Sequence, residues 1–184
     1  MIRSGTRVSL ASALLATVLA LVSATPASAQ GKAKLTCKIT ENGESATGTV
    51  VLMAGDAEVA RGSCAKGVTA PAGSYEAVLR LDGALDGPEQ RKPVELAAGG
   101  SQSVQADFST GLLEVKIQRE GRRAAGMAII RKGGKQIGTL GSGVAAHLSV
   151  GTYEVVARYR TQEKRFEAVT ISRGQRVTLD AAFE

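Results

Sequence analysis

Tryptophan is absent, and 184 residues carry only three tyrosines, three phenylalanines, one histidine and two cysteines. Each shortage removes a class of function. Proteins that grip single-stranded nucleic acid stack its bases on exposed aromatic rings. The six rings here are Tyr75, Phe108, Tyr153, Tyr159, Phe166 and Phe183, and most alternate with polar neighbours in a way that turns them inward. None is left for a stacking platform, so nucleic acid is not an expected partner, and a sugar-stacking module is equally disfavoured. The lone His147 lies between Ala146 and Leu148 on an alternating stretch, which points it to solvent. Nucleophilic catalysis needs a base oriented by a third group, so no catalytic residue is assigned and the protein is not read as an enzyme. No Cys-x-x-Cys or histidine pair is available to a metal, and no cofactor is implied. Gly133-Gly134-Lys135 lacks the spacing and the following helix of a phosphate loop and reads as a hairpin turn. Asp82, Asp86 and Glu89 lie on a glycine-containing stretch. Oxygen ligands on such a stretch can hold calcium, but the spacing matches no calcium loop, and a solvated acidic loop is expected.

The one long apolar run lies at residues 8–22, broken only by Ser and Thr and preceded by Arg3 and Arg7. Ala27-Ser28-Ala29 follows as a small-x-small cleavage site, which assigns residues 1–29 to an export signal cut before Gln30. The run is shorter than the ~20 residues that a membrane span needs, and no cysteine follows it for a lipid anchor. The mature chain is expected to be periplasmic or secreted, with no transmembrane span after cleavage.

That mature chain repeats itself. GSYEAVLRL at 73–81 returns as GTYEVVARY at 151–159. At an offset of 78, Leu35 falls on Leu113, Ile39 on Ile117, Gly48 on Gly126 and Tyr75 on Tyr153. Beyond the loop at 82–90 the offset drops to 75, matching Val94 to Val169 and Phe108 to Phe183. The first copy thus carries about three extra residues in that loop. Matches at glycines and alternating apolar sites define two modules, 30–110 and 111–184. In the second, strands are expected at 112–118, 126–131, 135–140, 144–148, 152–160, 164–171 and 175–183, separated by glycine turns. On the central strand, Tyr153, Val155, Ala157 and Tyr159 should face inward, and Glu154, Val156, Arg158 and Arg160 outward. Seven short strands per copy give an all-β chain of two tandem small immunoglobulin-like (prealbumin-like) β-sandwich domains.

The run Gly151, Tyr153, Val155, then Val169, Ile171, Gly174, Gln175, Val177 and Leu179 resembles the transthyretin-like, carboxypeptidase-regulatory-like and PEGA-type modules of secreted bacterial proteins. The resemblance spans nearly the whole mature chain. It implies a domain that spaces, docks or binds, and it supplies no site residues.

Cys37 and Cys64 both fall in the first copy, where Val115 and Ser142 stand in the second. Export permits a disulfide, worth about 3 kcal/mol for a loop of this length; two free thiols are the alternative, and a redox or metal pair lacks the spacing. Charge separates the copies further. Residues 30–110 hold 8 Lys/Arg and 10 Asp/Glu, a net of −2, whereas residues 111–184 hold 13 and 7, a net of +6. Arg119, Arg122, Arg123, Arg131, Lys132, Lys135, Arg158, Arg160, Lys164 and Arg165 form the candidate basic binding face. The expected function is non-catalytic binding or scaffolding. The alternative is a ligand-binding or inhibitor protein whose basic second module docks on an anionic envelope partner while the first braces it.

Overall fold

The computed structural model describes residues 31–184. The export signal and its cleavage site lie outside the described residues. Those residues form an all-β chain of sixteen strands. The first copy contains β1 (Lys32–Glu41), β2 (Glu44–Ala46), β3 (Gly48–Ala54), β4 (Ala57–Ser63), β5 (Val68–Pro71), β6 (Gly73–Leu81), β7 (Glu89–Leu96) and β8 (Ser101–Phe108). The second contains β9 (Thr110–Arg119), β10 (Arg122–Arg123), β11 (Met127–Lys132), β12 (Lys135–Gly141), β13 (Ala145–Ser149), β14 (Gly151–Tyr159), β15 (Gln162–Ile171) and β16 (Arg176–Phe183). Eight strands per copy, rather than seven, arise because the turn after the first strand folds back as a short pairing strand, β2 or β10.

Each copy is a two-sheet sandwich. One sheet runs β4-β3-β6-β7, repeated as β12-β11-β14-β15. In the other, β1 pairs in parallel with β8 along one edge, while β2 and β5 share its other edge; β9, β16, β10 and β13 repeat this. Alternation supplies the cores. Val104, Ala106 and Phe108 of β8 turn inward, as do Leu113, Val115 and Ile117 of β9.

Val156 departs from its expected outward exposure. It does lie on the outer face, yet only 2% of it is exposed. It pairs across the sheet with Ile129, and Arg165 flanks it on β15. Val51 and Val78 repeat the arrangement between Arg61 and Arg91. Arginine stems cover apolar surface while their charged heads stay wet. Tyr159, expected inward, is half-buried at the end of the core, with its ring centroid 5.9 Å from that of Phe183.

Two-residue turns close the hairpins with both residues at positive φ, as a type I′ turn requires: Asn42-Gly43 at 56° and 93°, Glu120-Gly121 at 48° and 74°, and Gly133-Gly134 at 56° and 78°. The three-residue difference between the copies resolves into two features. Eight residues separate Arg80 from its cross-strand partner Glu89, but only four separate Arg158 from Glu163. The first loop is therefore four residues longer. A β-bulge in β15, with Ala168 at φ 52°, returns one residue to the second copy.

On the shared edge of β1, the stretch between β2 and β5 carries the Cys37–Cys64 disulfide, and Cys64 is buried. In the second copy the buried Ser142 hydroxyl bridges both the N–H and the carbonyl of Ile117, and the Gly143 N–H donates to the Val115 carbonyl. A hydroxyl and a turn amide thus close in the second module the gap that a covalent bond closes in the first.

Candidate functional site

The two sandwiches are joined by one residue, Ser109, whose carbonyl accepts from the Val150 N–H at 3.0 Å. Positive φ at Asn42 aims its side chain at the neighbouring module. Its amide nitrogen donates to the Thr110 carbonyl and its oxygen accepts from the Thr110 N–H, both at 3.0 Å. A side-chain amide here acts as a strand partner for a fully buried residue, since Thr110 is 0% exposed. Asp107 of the first copy meets Arg173 of the second at 3.2 Å. The Thr40 hydroxyl, then the Gly43 N–H, hold the Asp107 carboxyl below the usual carboxylate range.

The longer first-copy loop reaches across as a clamp; the expectation of a solvated acidic loop holds for Asp82 and Glu89 and fails for Asp86. The Leu85 N–H donates to the His147 carbonyl at 2.8 Å, and Ala84 bridges His147 in parallel register. The Leu85 side chain packs on the core of the second module. There a glycine is required: a Cβ at Gly138 would lie 2.6 Å from Leu85 Cδ1 and 2.7 Å from its Cγ. Asp86 is pulled in behind it, with its side chain 6% exposed. Its carboxylate accepts from the Ser149 N–H at 3.1 Å and lies 2.9 Å from the Tyr153 hydroxyl and 3.7 Å from Lys132 Nζ. A carboxylate taken this far from water needs such donors and a counter-charge. The other two carboxylates of the loop point elsewhere: Asp82 accepts from Thr49, and Glu89 pairs with Arg80 and Arg91. Among the described residues no three metal-ligating side chains converge.

Tyr153 and Tyr75 repeat one another in conformation. Each hydroxyl reaches the carbonyl four residues back, Ser149 at 2.7 Å and Pro71 at 3.0 Å. They differ in cover. Tyr153 is 2% exposed beneath Asp86 and Lys132, whereas Tyr75 is half-buried because no clamp reaches it among the described residues. Burial first, and the Asp86 charge next, push the Tyr153 phenol well above its ordinary range.

His147 points out of its own core, as its alternation suggests, and its side chain is 44% exposed, but it is not free of a partner. Its Nδ1 lies 2.6 Å from Glu41 Oε1 across the junction. The Thr110 hydroxyl donates to that same oxygen. Hydroxyl, carboxylate and imidazole are gathered, but in an order unsuited to nucleophilic catalysis. The carboxylate lies between the other two, the imidazole does not touch the hydroxyl, and the hydroxyl is buried.

The ten basic residues occupy four places rather than one face. Arg131, Arg158 and Arg165 lie on the outer face of the β11-β14-β15 sheet with acidic partners. Arg131 and Arg165 approach Glu154 at 3.6 and 3.0 Å, without hydrogen-bond alignment, and Arg158 lies 2.7 Å from Glu163. Two of these pairs repeat in the acidic first copy as Arg80–Glu89 and Arg91–Glu76, so they do not account for the charge difference. Lys132 is committed to the junction, and Lys135 follows it across the Gly133-Gly134 turn. Lys164 lies with its Nζ 5.6 Å from the Phe166 ring.

Arg119, Arg122, Arg123 and Arg160 gather at the far end of the module, about 30 Å along β9 from the junction. With Glu120, Tyr159 and two alanines they line an open cleft of about 550 Å³. Arg160 stacks over the Tyr159 ring at 5.5 Å, and Arg123 donates to the Ser142 carbonyl at 2.7 Å. Tyr159 first, and Glu120 next, hold Arg119 further into its charged range.

Sequence reasoning missed the junction. Its one signal was the unequal length of the loops between otherwise matched strands, which marks where one copy does something that the other does not.

No protein-family model matches the chain, and no curated protein does. Some solved structures resemble it loosely. The Bacillus anthracis TIE protein is 18% identical over 84% of this chain, with a TM-score of 0.36. A provisionally named cell adhesion protein from Bacteroides ovatus is 10% identical over 85% of this chain and 93% of its own, at 0.40. The shaft pilin SpaA of Lactobacillus rhamnosus GG is 11% identical over 84% of this chain and 98% of its own, at 0.29. The chain spans 34% of the length of the TIE protein. Likenesses this loose carry no functional argument.

Proposed function

We propose that this is a non-catalytic binding or scaffolding protein, exported to the periplasm or beyond behind a signal at 1–29. Its two domains, 30–110 and 111–184, are modules of the transthyretin-like, carboxypeptidase-regulatory-like (PEGA-type) kind. The first braces the second, which presents basic side chains to an anionic partner of the cell envelope. The observation that carries this reading is the arginine cluster at the far end of the second module. Three acidic residues of the first module, Glu41, Asp86 and Asp107, meet His147, Lys132 and Arg173 across the junction, so part of the basic surplus is internal. No ion pair reaches Arg122, Arg123, Lys135, Arg160 or Lys164 among the described residues. These five are the candidates for contact. Two features support a structural role for the only histidine: its partner is a junction carboxylate, and the hydroxyl beside it is buried. The test uses the full exported chain on immobilised heparin as a generic polyanion. Retention should weaken steeply with salt, because exposed charges are screened over about 8 Å at physiological ionic strength. Changing Arg122, Lys135, Arg160 and Lys164 to Gln together should abolish it. Retention that ignores both salt and those changes would reject the reading.

A further inference from the structure

Copy one shows what this end of the module can do. Its β1–β2 turn and its β6–β7 loop dock on a second β-sandwich through Glu41, Asn42, Leu85 and Asp86. The same end of copy two faces outward, and its charge is largely inverted, the one change in the other direction being Glu120 in place of Asn42, which pairs with Arg119. Arg119 replaces Glu41, Arg122 replaces Glu44, Arg123 replaces Ser45 and Arg160 replaces Asp82. Four acidic or neutral sites have become arginine within one cleft, while the outer-face pairs Arg158–Glu163 and Arg165–Glu154 kept their first-copy form. A second, independent change adjoins it. Met127 and Val144 are 49% and 51% exposed, where copy one has Thr49 and Lys66. They are neighbours: Met127 pairs across the sheet with Gly141, and Val144 Cγ2 lies 3.5 Å from where a Gly141 Cβ would stand. A second cleft, lined by Arg123, Ala124, Ala125, Gly126 and Ser142, shares Arg123, Ala124 and Ala125 with the arginine cleft and reaches Gly126, the residue before Met127.

We propose that the far end of the second module docks an acidic segment of a partner protein, with Arg122, Arg123 and Arg160 as charged anchors and Met127 and Val144 as apolar ones. The proposal rests on the reading that the second module binds an anionic partner, and it specifies where and what kind. Arginine and methionine beside exposed aliphatic surface is the composition of protein interfaces. Arginine forks match carboxylates in paired geometry. A bilayer-docking surface would carry exposed Trp, Phe or Leu, and none lines this cleft.

The experiment is fluorescence anisotropy of a labelled peptide of alternating Glu and Leu against the full exported chain. A Lys/Leu peptide and phosphatidylglycerol vesicles serve as comparison ligands. The Glu/Leu peptide should bind and the Lys/Leu peptide should not. Arg122→Glu and Arg160→Glu should each lower affinity about tenfold or more. Met127→Ser with Val144→Ser should lower it about three- to tenfold while leaving the salt dependence unchanged. Arg131→Gln and Arg165→Gln, on the outer face, should do nothing. Melting curves confirm that each variant is folded. Peptide binding that survives the end variants but fails with Arg131→Gln or Arg165→Gln overturns this location and leaves the anionic-partner reading standing. Vesicle binding without peptide binding overturns the protein partner. Binding to neither probe, together with no retention on heparin, overturns both readings.

Discussion

Gly138 tests whether the loop of the first module is part of the core of the second. Its backbone conformation is an ordinary one, so alanine is not strained there by φ; what it lacks is room. The three atoms nearest an added Cβ, at 2.6 to 2.9 Å, all belong to the Leu85 side chain. Leu85 must therefore leave or the strand must shift. Expelling a partly buried leucine forfeits about 1–2 kcal/mol of transfer free energy, and residual strain adds about another 1 kcal/mol. Against this, alanine restricts the unfolded chain and contributes about 0.4–1 kcal/mol of stability. Gly138→Ala alone should destabilise the protein by about 1–2.5 kcal/mol. With Leu85→Ala in the background the obstruction is gone, and the same change should stabilise by about 0.4–1 kcal/mol. The sign reverses, which corresponds to a coupling energy of about 2–3 kcal/mol in a double-mutant cycle. Copy one provides the precedent: Ala60 stands at the matching position, where no leucine arrives. The assay is urea unfolding of the four proteins by far-UV circular dichroism, with slopes compared as a check on cooperativity. A Gly138→Ala cost that is the same with and without Leu85 would refute the clamp.

Tyr153→Ala should cost about 3–5 kcal/mol, as for a fully buried aromatic, and Tyr75→Ala distinctly less, because Tyr75 is only half-buried; equal melting shifts would refute the difference in cover. Tyr153 also makes stability sensitive to alkali. Its phenol ionises above the ordinary value of 10 in the folded state, so its contribution is complete below about pH 10 and is lost as pH rises through the folded value. Tyr153→Phe should remove that alkaline component, and a pH–stability curve between neutral and strongly alkaline pH checks it. A non-reduced digest of the exported protein should yield Cys37 and Cys64 peptides as one linked species, and reduction should lower the stability of the first module by about 3 kcal/mol while leaving the second unchanged.

What the sequence by itself determined was everything that depends on local periodicity and on the repeat. Alternation places Leu35, Val104, Tyr153 and Ile171 in two cores, and Gly133-Gly134 can turn only where positive φ is allowed. The paired copies align strand with strand because core and turn positions constrain side chains through short-range geometry. The positions of His147, Asp86 and the ten basic residues were decided elsewhere. Alternation tells which side of a strand a residue occupies, but not what covers that side. Val156 faces outward and is nonetheless buried between its cross-strand neighbours Ile129 and Arg165. His147 faces out of its own core and into a carboxylate of the neighbouring module. Arg131 and Arg160 are equally basic in sequence, yet one meets Glu154 across the sheet and the other stands free in a cleft. Whether a charge is neutralised depends on cross-strand register and on how two sandwiches meet, and both are set by contacts between residues far apart in the chain. The longer first loop was visible in sequence as a change of offset of three, the fourth residue being masked by the bulge in β15; only the packing of Leu85 against Gly138 shows that this loop is the joint that holds the two modules together.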